Sequence, residues 1–366
     1  MRIAMLSWRS PDNPRSGGAE TLTFEILKRA ASRGHEVTWF AARSAGSPET
    51  ELIDGVRFVR LGRQWTVHVR AWRWLRARLD QFDVVVDQVN TLPFLTPWYV
   101  PETKRRLLIF QLAREYWWRE TRGLFRLVAP LGYWTEPCYV RLYRATDTIT
   151  ISESTKADLV ALGIPATRIS LVTPAITAPL VTELRPKPEP FRVIVIGRLT
   201  PAKFLEEAIG AFALVQRSLP EAQLDIVGAG DPRYQSRLEQ DVSRRGLAAF
   251  VTFHGRAEEA RKCELLERAH VHLFTSHREG WGLTVNEAGA RGTPTVGYDA
   301  PGVRDSVADP RLLAPLTSGA SGLAERVLAL QADPALYADV RARAWQIASG
   351  LSYEAATGAF LEAVGA

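Results

Sequence analysis

Glu279 and Glu287 flank a short run of glycines and small residues, Gly280-Trp281-Gly282-Leu283-Thr284. The apolar stretch before them, from Val271 to Thr275, reads as a buried strand. Leu283 to Ala290 after them reads as a helix, so the glycines occupy a strand-to-helix turn. The first turn of a helix has backbone N–H groups without intrahelical partners and the positive end of the peptide dipoles, so Gly282, Leu283 and Thr284 form a candidate phosphate seat. Glycine at 280 and 282 lets backbone approach an anion with no Cβ in the way. The two carboxylates repel phosphate and are expected to reach for hydroxyls on either side of it. Sugar, diphosphate and sugar in that order satisfy all three features. An isolated glutamate pair would instead be a helix cap and a solvated face. A second strand-to-helix turn carries Arg198 and Lys203, two cations placed to converge on an anion.

The elements that must hold these residues read as alternating strands and helices. Met1 to Trp8 opens as a strand, and Gly17-Gly18-Ala19-Glu20 leads into a helix with Leu22, Ile26 and Ala30 on one face. His35 to Phe40 begins another strand, which makes a βαβ start with two glycines at the helix entry. Further apolar runs at Val84–Val86, Leu107–Phe110 and Asp147–Ser152 continue the pattern. Phe191 to Gly197 and Ala222 to Val227 repeat it in the second half. Gly228-Ala229-Gly230 begins like a dinucleotide fingerprint but lacks the third glycine, and is weak evidence for such a cofactor. Leu184 to Pro190 has three prolines in seven residues and reads as a semi-rigid linker. The expected organisation is a domain over 1–183, a linker over 184–190, a second domain over 191–349 and a closing segment over 350–366.

The string EGWGLTVNE, from Glu279 to Glu287, with Gly292-Thr293-Pro294-Thr295-Val296 after it, resembles the signature of retaining glycosyltransferases of family 4. The resemblance implies an α/β chain of GT-B type, in which two Rossmann-like, doubly wound domains face a central cleft and the last helix crosses back to the first domain. It implies that Arg198 and Lys203 bind a donor diphosphate and that Glu287 accepts from the ribose. Glu279 is then expected to hold and orient the donor sugar, and Gly255 and Arg256 to meet the nucleotide base. It places the Gly17-Gly18 loop at the cleft on the acceptor side. Family members commonly carry a histidine after a strand equivalent to Leu107–Phe110. Here Phe110-Gln111-Leu112-Ala113-Arg114-Glu115 contains none, and no histidine role is carried over. The donor implied is a UDP- or GDP-linked sugar. There is no Asp-x-Asp motif, so neither a metal nor another cofactor is expected.

Length and composition fit two α/β domains: 366 residues, 46% hydrophobic and 23% charged. The two cysteines lie far apart with no metal-binding spacing, which points to a reduced compartment. The first residues are too short an apolar run for a secretory leader, and no apolar run is long enough to span a bilayer. The expected location is the cytoplasm. The net charge of +6 is unevenly spread, since residues 1–180 carry 25 Lys and Arg against 17 Asp and Glu, whereas the remainder carries 21 against 23. Nine of the 11 tryptophans also lie in the first half. Val56 to Leu79 holds seven arginines and no acid. Within it Trp72, Leu75 and Leu79 keep helical spacing, with Arg73, Arg76 and Arg78 mostly elsewhere on the wheel. A second basic-aromatic cluster runs from Lys104-Arg105-Arg106 through Arg114, Trp117, Trp118, Arg119, Arg122, Phe125 and Arg126. Two readings stay open for these stretches: a core-facing aromatic stripe with a solvated basic face, or docking to an anionic membrane that presents a lipid-linked or cell-envelope acceptor. For the chain as a whole the alternatives to a glycosyltransferase are a nucleotide-sugar epimerase or hydrolase, and a non-catalytic basic module for membrane or nucleic acid.

Overall fold

The computed structural model describes residues 1–114, 117 and 129–366; Glu115 and the second-cluster residues Trp118, Arg119, Arg122, Phe125 and Arg126 lie outside the described residues. The chain divides into two compact units, Met1–Ala175 with Ser352–Ala366, and Ile176–Leu351.

In the first unit, strands β1 (Arg2–Leu6), β2 (Glu36–Ala41), β3 (Thr50–Ile53), β4 (Val56–Arg60), β5 (Val84–Val89), β6 (Arg105–Ile109), β7 (Asp147–Thr150) and β8 (Ile169–Leu171) form one sheet. Its order is β3-β4-β2-β1-β5-β6-β7-β8. All pairings are parallel except β3–β4, with Ile3 opposite Val37 on one side and Val84 on the other. Strands flanked on both faces are buried throughout, as β5 is; its two polar residues are hydrogen-bonded, Asp87 accepting from Phe94 N and Thr96 Oγ1 and Gln88 donating to Thr23 Oγ1. The β3–β4 hairpin takes up the start of the basic run Val56–Leu79, for which the sequence reading named no strand. Asp54-Gly55 forms its turn, both residues at positive φ, and Asp-Gly is a favoured pair for that geometry.

Helix α1 (Gly18–Ser32) buries Leu22, Ile26, Leu27 and Ala30 against the sheet, and α2 (Val67–Arg76) buries Val67, Ala71 and Leu75. Of Trp72, Leu75 and Leu79, which keep helical spacing, only Leu75 is buried: Trp72 is exposed, and Leu79 lies beyond the helix end. Helices α3 (Ala129–Leu142) and α4 (Glu153–Ala161) follow, α4 capped by Ser152, whose Oγ accepts from Thr155 N at 3.2 Å.

The second unit has a parallel sheet of β9 (Arg192–Ile196), β10 (Gln223–Val227), β11 (Val251–Gly255), β12 (Val271–Phe274), β13 (Thr295–Tyr298) and β14 (Leu313–Ala314), in the order β11-β10-β9-β12-β13-β14. Around it lie α5 (Leu205–Ser218), α6 (Pro232–Arg244), α7 (Glu259–Arg268), α8 (Leu283–Ala290), α9 (Val303–Ser306), α10 (Gly319–Ala332) and α11 (Pro334–Gly350). One core cluster joins Val193, Phe212, Leu224, Leu273 and Val296, and another joins Ile194, Val227, Leu266 and Ala288.

The unit boundary falls between Ala175 and Ile176, ahead of the proline-rich run expected to serve as linker. Ala178 packs with Cys263, Ala290 and Ala348 of the second unit. Lys187 Nζ donates to Glu267 O and Thr293 Oγ1, each at 2.7 Å. Composition marks 184–190 as stiff but does not reveal these acceptors, which fasten the run to the second unit. The last helix, α12 (Tyr353–Val364), groups with the first unit. It lies on α1, where the Arg29 guanidinium sits 4.6 Å from the Tyr353 ring centroid.

Candidate active site

In the second sheet β9 lies between β10 and β12, so the connections leaving its carboxyl edge turn to opposite sides at the β9/β12 step. Such a switch point leaves a crevice at the carboxyl ends of the two strands, where loops can reach a ligand. The loop after β9 carries Arg198 and ends in a turn, Pro201–Lys203, and the loop after β12 carries Glu279. Side chains stitch the two loops together. Thr275 Oγ1 donates to Lys203 O at 2.6 Å, and the Phe204 ring stacks on His277 with centroids 3.5 Å apart. Lys203 Nζ forms an ion pair with Glu279 Oε1 and lies 5.6 Å from the Phe274 ring centroid. Both partners are mostly buried, with side-chain exposures of 22% and 14%, so the pair is weakly screened.

Glu279 is also fixed through its backbone. Its N–H donates to Pro301 O at 3.0 Å, and Gly302 packs so tightly that a Cβ there would sit 2.0 Å from Glu279 O. Gly302 has φ +78°, a conformation side chains rarely adopt. Beyond the buried Gly280, Trp281 turns back and donates from Nε1 to Asn286 Oδ1 at 2.6 Å, and Asn286 Nδ2 donates to Ser306 O at 3.3 Å. Gly282, at φ +120°, is the N-cap of α8, and no side chain caps this helix. The amide N–H groups of Leu283 and Thr284 thus begin the helix with the positive end of its dipole uncompensated by a capping oxygen.

Glu287, 8% exposed, lies in the following turn of α8 and meets Lys262 of α7, with Oε2 to Nζ at 3.0 Å. Burial works against the Lys262 charge but is outweighed by Glu287 and Glu259, so its pKa is raised above that of an ordinary lysine. Sequence reasoning did not name Lys262. The pair joins residues 25 positions apart on two helices, and no local spacing signals it. Gly302 was also unassigned, although Pro301-Gly302 is a strong turn signal.

The remaining expected site residues lie on neighbouring loops. Arg198 and Arg256 are exposed, and Arg198 has no ion pair among the described residues. Gly255, φ +63°, accepts from Gly228 N at 2.8 Å. The Gly-Ala-Gly run is a packing device: a Cβ on Gly228 would lie 1.8 Å from Gly197 O.

Gly17 and Gly18 belong to the switch point of the first sheet, between β1 and β5. There Gly17 N donates to Glu20 Oε2 at 2.8 Å, closing the entry of α1. Glu20, 1% exposed, also meets Arg9 Nε at 2.8 Å and Asn90 Nδ2 at 3.0 Å. Where the family's histidine would stand, the loop after β6 is held from below by Glu136, whose oxygens accept from Ala113 N at 2.6 Å and Arg114 N at 2.8 Å. Burial raises the Glu136 pKa against the pull of those two N–H groups.

Both cysteines are free. Among the described residues no helix is long and apolar enough to cross a membrane, and no group of three or more His, Cys, Asp and Glu is arranged to hold a metal ion.

Comparison with known proteins matches both halves. Residues 16–178 match the model of glycosyltransferase family 4, and residues 181–346 that of glycosyl transferases group 1. Glycogen synthase of Mycobacterium tuberculosis is 25% identical over 94% of this chain and 89% of its own length. Poly(glycerol-phosphate) alpha-glucosyltransferase of Bacillus subtilis is 34% identical over 122 residues, a match spanning 33% of this chain and only 18% of that protein. Among solved structures, sucrose-phosphate synthase of Thermosynechococcus elongatus superposes with a TM-score of 0.78 at 20% identity, covering 99% of this chain and 97% of that one. HepE of Anabaena in complex with UDP-glucose gives 0.73 at 18% identity, covering 99% and 98%. Paired doubly wound units, the Glu279–Glu287 turn at a switch point and family models spanning each half lead to one assignment: the chain belongs to glycosyltransferase family 4 and is a glycosyltransferase of the GT-B fold.

Proposed function

We propose that the protein transfers a hexose from a UDP- or GDP-linked sugar, with retention of anomeric configuration and without a metal ion. The observation that carries this reading is the Lys203–Glu279 pair beside the uncapped start of α8, all on the loops of one switch point. The difficult step is departure of the nucleoside diphosphate from the anomeric carbon, which puts negative charge on the leaving phosphate and positive charge on the sugar ring. Lys203, Arg198 and the N–H groups of Leu283 and Thr284 stabilise the phosphate charge as it grows. Glu279, oriented by Lys203 and by Pro301–Gly302, holds the donor sugar and favours the ring cation. Glu287, paired with Lys262, accepts from the ribose hydroxyls. Gly280 and Gly282 give the diphosphate room, Trp281 fixes the turn through Asn286, and Gly255 with Arg256 meets the base. The loop at Gly17 and Gly18 serves the acceptor, a lipid-linked or cell-envelope glycan precursor presented at the cytoplasmic face of a membrane. HepE binds UDP-glucose on the same fold, which makes UDP the first base to test.

Isothermal titration with UDP and GDP, and a donor-hydrolysis assay run with and without EDTA, test the proposal. Glu287→Ala is expected to weaken nucleotide affinity, and Glu279→Ala to lower turnover more than affinity. Unchanged affinity and turnover in both variants would remove the site, and loss of activity in EDTA would overturn metal independence. The anomeric configuration of the product decides retention.

A further inference from the structure

His277 stands two residues ahead of Glu279 on the loop after β12, and three side chains from other parts of the second unit hold it. The Phe204 ring lies flat against it, with centroids 3.5 Å apart and planes 12° apart, and the Tyr298 ring of β13 meets it edge-on at 5.2 Å. His277 Nε2 lies 3.3 Å from Glu207 Oε1. A carboxylate only accepts, so the Nε2–H donates. Glu207 also accepts from the hydroxyl of Tyr298, which is wholly buried. Burial, and then the bond to Glu207, raise that hydroxyl above its ordinary pKa, so it stays a donor. Phe204 and Glu207 lie one turn apart at the start of α5, where Glu207 N donates to Phe204 O at 2.9 Å. One helical turn therefore offers the imidazole a face to stack on and an acceptor for its edge. Phe204 itself has an unusual backbone. It follows Lys203 directly, and at φ +51° and ψ +45° it is the one non-glycine residue of the second unit at positive φ among the described residues. A bulky side chain in the left-handed region is strained, and such strain persists where surrounding contacts hold it, often beside a functional site.

We infer that His277 is a positioning residue for the transfer: stacked on Phe204, abutting Tyr298 and bonded to Glu207, it keeps the Lys203 turn and the Glu279 loop in register. The inference rests on the reading that Lys203 and Glu279 serve the transfer. In that reading Lys203 acts on the phosphate and Glu279 on the sugar, so the contact between them loosens when a donor is bound. The two loops then need a link made by groups that do not react. Thr275 Oγ1 to Lys203 O is one such link. The His277 stack is a second, reaching the residue next to Lys203 from a point nearer Glu279. If the four side chains only filled space, the left-handed position at 204 would be better served by glycine, which adopts it without strain. A phenylalanine there is explained by the partner that its ring meets.

The test is steady-state hydrolysis of UDP-glucose by the full chain, with UDP affinity measured by calorimetry on the same samples. His277→Ala is expected to lower kcat about 10- to 100-fold, the range for a reacting group displaced by up to about 1 Å, with KM and UDP affinity nearly unchanged. Phe204→Gly should do the same, because glycine is at home at φ +51° and only the ring is lost. That variant decides the matter if His277→Ala is too unstable to assay. The two residues act through one contact, so the double variant should be no slower than the slower single one. His277→Phe keeps the stack and should recover most of the lost turnover. Wild-type kcat in Phe204→Gly overturns the inference, as do losses that multiply in the double variant or a kcat that His277→Phe leaves unrecovered. A fall in UDP affinity as large as the fall in kcat overturns it too, since the cluster would then support the donor seat as a whole. Lys203→Ala separates the two levels of the argument. Wild-type turnover in that variant means that the donor reading has failed, whereas a loss there with none in Phe204→Gly means that only positioning by His277 has failed.

Discussion

The two sheets each have a switch point with a glutamate beside a helix start, yet the two are built for different purposes. At β1/β5 the glutamate closes the site: Glu20 takes up the Gly17 N–H at the entry of α1 and is itself held by Arg9 and Asn90. At β9/β12 the glutamate stands apart from the helix: Glu279 pairs with Lys203 from the other loop, and α8 begins without a side-chain cap. Neither helix start has a side-chain cap, but the Glu20 carboxylate beside the start of α1 offsets the positive potential there, whereas the start of α8 has the Lys203–Glu279 pair on the neighbouring loops. This criterion favours the second switch point as the proposed diphosphate seat. The first, despite its two glycines, is structural at its helix entry, which leaves its rim to the acceptor.

The largest test of this contrast is Lys203→Ala, which removes the cation from both Glu279 and the leaving phosphate. We expect kcat/KM in a donor-hydrolysis or transfer assay to fall roughly 10³-fold, in the range seen when one preorganised donor to a developing oxyanion is lost. A loss below tenfold would mean that Lys203 only holds Glu279 in place. Gly302→Ala comes next. Its Cβ would collide with Glu279 O and its φ of +78° suits glycine, so the Glu279 loop must shift. A displacement near 1 Å from the reacting geometry costs about 10²-fold in turnover. The expected outcome is that fall in kcat with UDP affinity nearly unchanged, since the start of α8 does not pass through residue 302. Equal losses in both would show that the two loops move as one. Lys262→Gln leaves Glu287 buried without its cation and should weaken UDP binding about tenfold by calorimetry, with a smaller effect on kcat.

The sequence made parts of this contrast readable. Leu205–Ser218 and Leu283–Ala290 were legible as helices to the residue, because glycine and proline punctuate the chain just before apolar residues at helical spacing. The site turn was legible because Glu279, Gly280, Gly282 and Glu287 fall within one nine-residue stretch. Contacts that cross from one loop or helix to another were not. Lys262 reaches Glu287 from a separate helix, Gly302 packs on Glu279 from the far side of β13, and Lys187 finds its acceptors at the end of α7 and just after α8, which fastens the proline-rich run to the second unit. The Asp54-Gly55 hairpin was within reach of local reasoning but was masked by the arginine run that follows it. Whether Trp72 faces the core or solvent stayed open, because helical spacing alone does not say which of two apolar faces meets the sheet.

The smallest expected effect on the chemistry is the most discriminating. Glu20→Gln keeps an oxygen to accept from Gly17 N or Asn90 but removes the charge opposite Arg9, at a position 1% exposed. A buried cation left without its counter-charge destabilises the fold, here by about 1–3 kcal/mol given that Arg9 retains some access to water. The first unit should therefore unfold at lower denaturant, read by circular dichroism. UDP affinity should stay within about twofold of wild type, since the proposed donor site lies at the second switch point and Glu20 takes up only the Gly17 N–H at the entry of α1. A tenfold loss of nucleotide affinity in this variant would break the comparison, because it would make the closed switch point a partner in donor binding rather than a support for the acceptor rim.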